Sequence, residues 1–221
     1  MDQTPVHEQH NADLLRLMPQ AARRVVEVGC SSGALAREYK KLNPTCGYHG
    51  IEIVRDYARL ARRYCDSVLE LDIENLDHQA VRDLEADCWV FGDSLEHLRD
   101  PWTLLRRIRA VISPDGHVVA CIPNAQHWSV QARLACGEFR YEDKGLLDRT
   151  HLRWFTRITI LEMFHETGFR VALMQARVFN EPQREKLMPV IEMMARTLGT
   201  NGAQAQADAS AFQYVLRAVP V

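Results

Sequence analysis

The sequence predicts an α/β fold built on a parallel, doubly wound sheet. From about residue 25, short apolar runs alternate five times with amphipathic stretches long enough for helices. Such alternation is typical of strand–helix units that form a parallel sheet. The chain has 221 residues, of which 47% are hydrophobic and 25% charged. These proportions are ordinary for a globular protein, and the length suits one domain.

Five apolar runs predict the first five strands, over residues 25–28, 48–53, 67–71, 88–91 and 117–122. Helices are predicted between them over residues 34–41, about 54–64 and 77–85, and from Pro101 onward, because proline is favoured in the first turn of a helix. Residues 113–116, Ser-Pro-Asp-Gly, predict a tight turn before the fifth strand.

The last third of the chain has a different pattern. Residues 124–150 carry many charges and aromatic rings without a strand pattern, which predicts a lid or substrate-facing insertion. The elements predicted after it are a helix over 156–167, a strand over 169–179, a helix over 183–198 interrupted at Pro189, a mobile loop over 199–209 and a closing strand over 212–219. We expect a single domain over 1–221, with an N-terminal segment at 1–24 and a lid or acceptor region at 124–156.

Composition narrows the classes of function. The net charge of −2 does not predict a nucleic-acid-binding surface. The six cysteines are scattered and several lie in apolar runs, which favours small buried side chains in a reducing compartment. The N-terminus lacks a signal-peptide pattern, and no apolar run approaches the roughly 20 residues that span a bilayer. We therefore expect a cytoplasmic location, no membrane insertion and, from the spacing of the nine histidines, no metal site.

A glycine-containing turn follows the first strand. Gly29-Cys30-Ser31-Ser32-Gly33 leads into a helix, and glycine lets the backbone approach a ligand closely. A plain strand–helix turn is one alternative. A dinucleotide fingerprint is another, although Ser31 stands in place of its second glycine. The segment also matches the Gly-x-Ser-x-Gly elbow of serine hydrolases, but only 30 residues precede Ser31, too few for that scaffold.

Two further acidic residues end the next two strands. Glu52 lies 19 positions after Gly33, a spacing at which a carboxylate accepts hydrogen bonds from ribose hydroxyls. Asp72 ends the third strand, where its side chain can meet an adenine amino group. The carboxyl ends of adjacent parallel strands converge on the crevice where such sheets bind ligands. Together with the turn, these acids predict a nucleoside-containing cofactor.

Residues 25–36 resemble the first motif of class I S-adenosylmethionine (SAM)-dependent methyltransferases. Val-Glu-Val-Gly-Cys-Ser-Ser-Gly is close to that family's Glu/Asp-x-Gly-x-Gly-x-Gly, with Ser31 replacing the middle glycine. The segments 50–53, 71–73, 91–98 and 113–122 resemble the later motifs. The resemblance implies a Rossmann-like sheet of seven strands whose last strand is antiparallel. This agrees with the five strands and final pair predicted from the apolar pattern.

The resemblance also implies roles in binding SAM. Glu27 and the loop of Gly29, Cys30, Ser31 and Gly33 would hold the methionine part. Glu52 would hold the ribose, and Asp72 with Ile73 the adenine. Ile53, in the second motif, would be a further cofactor contact. Asp93, Ser94 and Leu95 would lie near the sulfonium.

The expected activity is methyl transfer to a small-molecule acceptor, with a sugar or glycan-precursor hydroxyl as the first candidate. Residues 147–156 resemble a signature of methyltransferases found beside bacterial glycan biosynthesis functions. A hydroxyl acceptor must lose a proton, and His151 with Asp148 as its partner is the preferred base, followed by His127. The alternative for His151 is a polar cluster that docks the lid.

Other functions remain open at the level of sequence. A non-catalytic SAM-binding module and a serine hydrolase using Ser31 are the alternatives to a methyltransferase. The amphipathic helix over 183–198 either covers the core or makes a homodimer contact.

Overall fold

The structure is a computed structural model that describes residues 8–221. It contains a sheet of seven strands in the order β3-β2-β1-β4-β5-β7-β6. The first seven residues of the predicted N-terminal segment lie outside the described residues. The strands are β1 (Arg24–Val28), β2 (Gly47–Glu52), β3 (Ser67–Glu70), β4 (Cys88–Gly92), β5 (His117–Pro123), β6 (Phe169–Arg177) and β7 (Gln213–Pro220).

Nine α-helices occur in this described part of the chain. They are α1 (Ala12–Leu17), α2 (Ala34–Leu42), α3 (Arg55–Ala61), α4 (His78–Asp83), α5 (Pro101–Arg109), α6 (Trp128–Ala135), α7 (Arg157–Glu166), α8 (Arg184–Thr197) and α9 (Gly202–Ser210). Short 3₁₀ turns at Ile73–Asn75 and Leu95–His97 follow β3 and β4. Both turns therefore lie at the carboxyl edge of the sheet.

The strand pairing confirms the predicted sheet. β1 to β5 are parallel, and β7 inserts antiparallel between β5 and β6. The order of the strands along the chain reverses between β1 and β4: β2 and β3 lie to one side of β1, and β5 lies on the far side of β4. Open α/β sheets bind ligands at this switch point, outside the carboxyl ends of the strands.

Each face of the sheet has its own hydrophobic cluster. Alternate residues of a strand point to opposite faces, so Val26 and Val28 pack with the aromatic rings of Trp89 and Phe91 under α5 and α7. On the other face, Val25 packs with α1 and α2 and with five of the six cysteines. These five cysteines are buried, as the sequence predicts for small apolar side chains.

The prediction of a mobile loop over 199–209 is wrong, because residues 202–210 form α9. The Asn201 side chain caps this helix by accepting a hydrogen bond from the Gln204 amide. Buried Asp208 fixes the helix to its neighbours, since its Oδ1 accepts hydrogen bonds from Arg157, Gln204 and Tyr214 at 2.8, 2.9 and 2.9 Å. Helices α1 and α6 were not predicted from the apolar pattern, and α6 lies inside the 124–156 segment.

The predicted helix over 183–198 is present as α8 and contains Pro189. Part of its apolar surface, including Met193 and Met194, is exposed. Among residues 8–221, no helix has the length and apolar character that crossing a membrane requires.

Candidate functional site

The loop between β1 and α2 holds three residues in left-handed backbone conformations. Gly29, Ser31 and Gly33 have φ angles of 73°, 47° and 78°. Glycine adopts this region without the clash that a Cβ brings. A Cβ at Gly33 would lie 3.0 Å from the Cα of Ala61, so the loop also needs glycine to pass α3. Ser31 adopts the same conformation at a steric cost that the two glycines do not have, because it carries a Cβ.

Glu52 ties this loop to the end of β2. Its buried carboxylate accepts hydrogen bonds from the Ser31 amide at 2.8 Å and the Val54 amide at 2.9 Å. Burial raises the pKa of Glu52, and these two amides oppose the rise. The predicted ribose acid is therefore also a structural link between the first two motifs.

Glu27 lies buried beneath the same loop. The Tyr48 hydroxyl donates a hydrogen bond to its Oε2 at 2.8 Å. Burial raises the pKa of Glu27 to about 8; the bond from Tyr48 opposes this rise, and the nearby Glu52 carboxylate adds to it. The structure thus places two of the predicted cofactor acids close together under the 29–33 loop.

The predicted adenine residues lie at the end of β3, beside β2. Asp72 caps the following 3₁₀ turn through the Glu74 amide at 2.9 Å, and its other oxygen accepts a hydrogen bond from Arg99 at 3.0 Å. Ile73 is buried in the core, whereas Ile53 is 56% exposed at the end of β2. Of these two isoleucines, Ile53 offers the accessible apolar surface.

Asp93, Ser94 and Leu95 follow β4 on the opposite side of the loop. Asp93 has a positive φ of 57° and accepts a hydrogen bond from the Gln213 side chain. A Cβ at Gly29 would lie 3.2 Å from that of Ser94, so this turn contacts the 29–33 loop. The buried Ser94 hydroxyl has no hydrogen-bond partner among the described residues, while Leu95 belongs to the core.

A second polar group lies immediately after these residues. Glu96 and His97 complete the 3₁₀ turn, and His151 approaches from the 124–156 segment. The His151 Nε2 lies 4.0 Å from the Glu96 Oε1, and the two imidazole rings meet edge to face with centroids 4.8 Å apart. The Leu152 and Arg153 amides both donate to the Glu96 carbonyl oxygen, at 2.8 and 3.0 Å, which fixes the segment against the turn.

Burial controls the charges in this group. Burial and then the neighbouring His97 lower the pKa of His151 to about 4, so the His151 ring is neutral near pH 7. Burial also lowers the pKa of His97. Burial raises the pKa of Glu96 well above its usual range, and the carboxylates of Asp93 and Asp148 add to that rise.

Asp148 organises the group through Thr150. Its Oδ1 accepts hydrogen bonds from the Thr150 amide at 2.8 Å and hydroxyl at 2.6 Å. Thr150 in turn contacts the His97 Nδ1 through its carbonyl oxygen at 3.2 Å and its hydroxyl oxygen at 3.1 Å. Asp148, the predicted partner of His151, is therefore connected to His97 through Thr150, and its carboxylate raises the pKa of His151 against the effect of burial.

His127 has a different setting. It is fully buried, with Nδ1 at 2.8 Å from the Ser129 hydroxyl and Nε2 at 3.1 Å from Glu181. The Trp128 indole donates to the same Glu181 oxygen at 2.8 Å. Because both ring nitrogens already have protein partners, this geometry favours a role in docking residues 127–128 onto Glu181 and does not support His127 as a base.

Glu96 was not predicted from the sequence as a functional residue. It lies within the 91–98 motif, but spacing along the chain does not reveal that its carboxyl is buried. His151 is 55 positions further on, and only the docking of residues 152–153 brings it to Glu96.

The strand order, the inserted antiparallel strand and the acids at the ends of β1 and β2 together define a class I SAM-dependent methyltransferase domain. A sequence profile described as "Methyltransferase domain" matches residues 6–173. The chain belongs to this family, because the match covers more than half of its length. The site residues fit SAM. The left-handed 29–33 loop, the buried Glu27 and Glu52 and the unpartnered Ser94 hydroxyl lie together at the carboxyl edge of the sheet, where the family's sequence motifs meet.

Individual relatives agree with this assignment. A ubiquinone biosynthesis O-methyltransferase of Ralstonia nicotianae is 29% identical over 104 residues, which cover 45% of this chain and 43% of the relative. A second from Vibrio parahaemolyticus is 28% identical over 126 residues, covering 52% and 51%. The matches thus span about half the length of these curated relatives. The crystal structure of a SAM-dependent methyltransferase from Archaeoglobus fulgidus has a TM-score of 0.63 at 18% identity, covering 94% of this chain and 91% of that one.

Proposed function

We propose that this chain transfers a methyl group from SAM to a hydroxyl of a small-molecule acceptor. The observation that carries the proposal is the group formed by Glu96, His97 and His151 directly after the residues that contact the 29–33 loop. A hydroxyl acceptor must lose its proton as it gains the methyl group, and polar groups at this position are placed to assist that loss.

Each part of the cofactor has candidate residues. We assign the methionine part to Glu27 and the loop of Gly29, Cys30, Ser31 and Gly33, and the ribose to Glu52. We assign the adenine to Asp72, with Ile53 as apolar cover, and the neighbourhood of the sulfonium to Asp93, Ser94 and Leu95. SAM supplies an electrophilic methyl group on sulfur, and the bond electrons remain on the sulfur of the product, S-adenosylhomocysteine. The chain mainly aligns the reactants and excludes water.

The acceptor side is assigned to the 124–156 segment. Phe139, Tyr141 and Trp154 form an exposed aromatic group with ring centroids 5.8 to 6.5 Å apart. Such rings can stack on a sugar, which keeps a sugar or glycan-precursor hydroxyl as the first candidate. Phe155, by contrast, is buried against Trp102 in the core and does not line an acceptor surface. The relatives named for ubiquinone biosynthesis make a hydroxyl of that pathway the second candidate.

The cofactor assignment is tested with two matched variants. Glu52 and Glu70 are register partners on adjacent parallel strands, but only Glu52 binds the 29–33 loop. We expect Glu52→Ala to weaken SAM binding at least about tenfold, because the ribose loses a two-point acceptor. Glu70→Ala should change it by less than about twofold, as is usual for an exposed surface residue. Isothermal titration with SAM, S-adenosylhomocysteine and NAD measures both, and equal affinities in the two variants would contradict the assignment.

The acceptor assignment is tested by turnover. A panel of sugars, nucleotide-linked sugars and ubiquinone precursors is screened for S-adenosylhomocysteine release. We expect His151→Asn to lower kcat on any accepted hydroxyl while leaving the Kd for SAM unchanged. His165→Asn is the control, because His165 is exposed near the end of α7. Unchanged kcat in His151→Asn would remove His151 from the proposed reaction.

A further inference from the structure

The group of Glu96, His97 and His151 has the composition of a metal site. One carboxylate oxygen and one nitrogen from each imidazole lie within 4.8 Å of one another. Two imidazoles and one carboxylate are a ligand set used for divalent transition metals. The three residues come from two separate parts of the chain, so sequence spacing alone could not reveal the set.

The Glu96 carboxyl is the first independent indication of a bound cation. The residue is only 1% exposed, and neither carboxyl oxygen has a hydrogen-bond partner on another described residue. Buried carboxyl groups are normally hydrogen-bonded, paired with a charge or bound to a metal. Among these three solutions, a cation shared with the two imidazoles matches what surrounds Glu96.

The hydrogen bonds of His97 are the second indication. The Thr150 hydroxyl donates to Asp148 and the Thr150 carbonyl can only accept, so both Thr150 oxygens act as acceptors toward the His97 Nδ1. Nδ1 therefore carries the proton, and Nε2 keeps a lone pair. Histidine ligands of metals commonly donate their other ring nitrogen to a carbonyl or carboxylate in this way.

We propose that Glu96, His97 and His151 bind one divalent transition-metal ion, such as Zn²⁺, Mn²⁺ or Co²⁺. Nitrogen ligands favour these ions over Mg²⁺ and Ca²⁺, which prefer oxygen. Ligand bonds of about 2.0–2.2 Å at tetrahedral angles place two donors about 3.3–3.6 Å apart, so a pair at the 4.8 Å limit closes by roughly 1.2–1.5 Å on binding. The acidic Asp93 and Asp148 nearby add negative potential that favours a cation.

The role of the ion rests on the proposed function, because the ion would activate the acceptor hydroxyl at the same group of residues. A bound divalent ion lowers the pKa of a coordinated hydroxyl. The ion thus takes over the task assigned to His151, whose Nε2 becomes a ligand. The proton leaves the coordinated hydroxyl for solvent, so no side chain needs to carry it.

The test measures metal binding rather than activity. The untagged chain of residues 1–221 is stripped with a chelator, dialysed, and titrated with Zn²⁺ against a chromophoric competitor and with Co²⁺ by visible absorption. We expect one ion per chain, with Glu96→Gln and His151→Asn weakening binding at least about 100-fold. Thr150→Val should weaken it about 10- to 100-fold through the lost orientation of His97. His49→Asn is the control, since His49 lies on β2 with its ring against the Ser67 hydroxyl.

Circular dichroism confirms that each variant is folded, and SAM affinity is measured on the same samples. The inference is overturned if the stripped protein takes up less than one ion per chain, or if the variants bind it as tightly as His49→Asn does. Intact SAM binding and methyl transfer in metal-free protein would overturn the role of the ion in activating the acceptor and leave the proposed function standing. Metal binding without methyl transfer to any hydroxyl would instead overturn the proposed function.

Discussion

The raised pKa of Glu27 makes the stability of this protein depend on pH. The pKa is about 8 in the folded chain against an ordinary 4.5, so the folded chain keeps a proton that the unfolded chain releases between these values. The contribution of Glu27 to stability is complete below pH 4.5, falls as pH rises through this window and is lost above about 8. The slope for one proton is ~1.4 kcal/mol per pH unit, or on the order of 4–5 kcal/mol over the whole window.

Glu27→Gln isolates this effect. Glutamine keeps the size of the side chain and an oxygen that accepts the Tyr48 hydroxyl, but it does not titrate. We expect the stability of wild type minus that of Glu27→Gln to fall by ~1.4 kcal/mol per pH unit between pH 5 and 8. Urea unfolding at each unit from pH 5 to 9 measures the difference, in which the other titrating groups cancel.

Glu38→Gln is the matched control for this series. Glu38 lies on α2, and its pKa is lowered to about 2 by Lys41 and Arg37, so it does not titrate in the window. Its difference from wild type should be flat from pH 5 to 8. A flat difference for Glu27→Gln as well would refute the argument, because it would mean that Glu27 is ionised in the folded protein.

Saturating S-adenosylhomocysteine, whose ammonium we assign to Glu27, should reduce the slope of the Glu27→Gln difference against pH.

Three further predictions concern stability and use the same urea assay. Asp208→Ala should cost about 1.5–3 kcal/mol, because it leaves the half-buried Arg157 and two other donors without their acceptor. Asp143→Ala, at an exposed residue, should stay within about 0.5 kcal/mol, and similar losses in the two variants would contradict the role of Asp208. Ser31→Gly should stabilise the protein by about 1 kcal/mol, because glycine adopts the left-handed backbone of this position without the clash of a Cβ. Ser31→Val should destabilise it, and a valine variant more stable than the glycine variant would show that the backbone at Ser31 is not strained. Gly50→Ala should cost about 1–3 kcal/mol, because the alanine Cβ would lie 2.5 Å from the Cys30 sulfur. Adding Cys30→Ala to this variant should recover part of the lost stability, and no recovery would point to another clash.

Much of the fold follows from local pattern. The buried strands are continuous apolar runs, and the left-handed loop after β1 is marked by Gly29 and Gly33. The carboxyl ends of parallel strands meet at one edge, so Glu27 and Glu52 are close once the strand order is known. The helix at 202–210 was missed because its residues are small and polar. Its signal was nevertheless present, since Asn201 is a good N-cap and alanine and glutamine favour helices.

The group around Glu96 shows what local pattern does not contain. Whether a carboxyl is buried without a partner depends on the docking of residues 152–153, which lie more than 50 positions away. The orientation of His97 likewise depends on Thr150, whose own position depends on Asp148. These contacts arise only in the folded chain, so the sequence could predict His151 and Asp148 as polar candidates but not the partners they acquire.

The two halves of the site share one structural element, the turn after β4. Ser94 contacts the 29–33 loop at Gly29, and two residues later the Glu96 carbonyl anchors the 124–156 segment. A shift of this turn would therefore move the 29–33 loop and the group of Glu96, His97 and His151 together. Because in-line methyl transfer depends on the alignment of acceptor and sulfonium, a common anchor for both sides is what the proposed reaction requires. The left-handed Asp93 lies at the start of this turn and is bonded to Gln213 on the inserted strand β7, so the antiparallel end of the sheet also holds the turn in place.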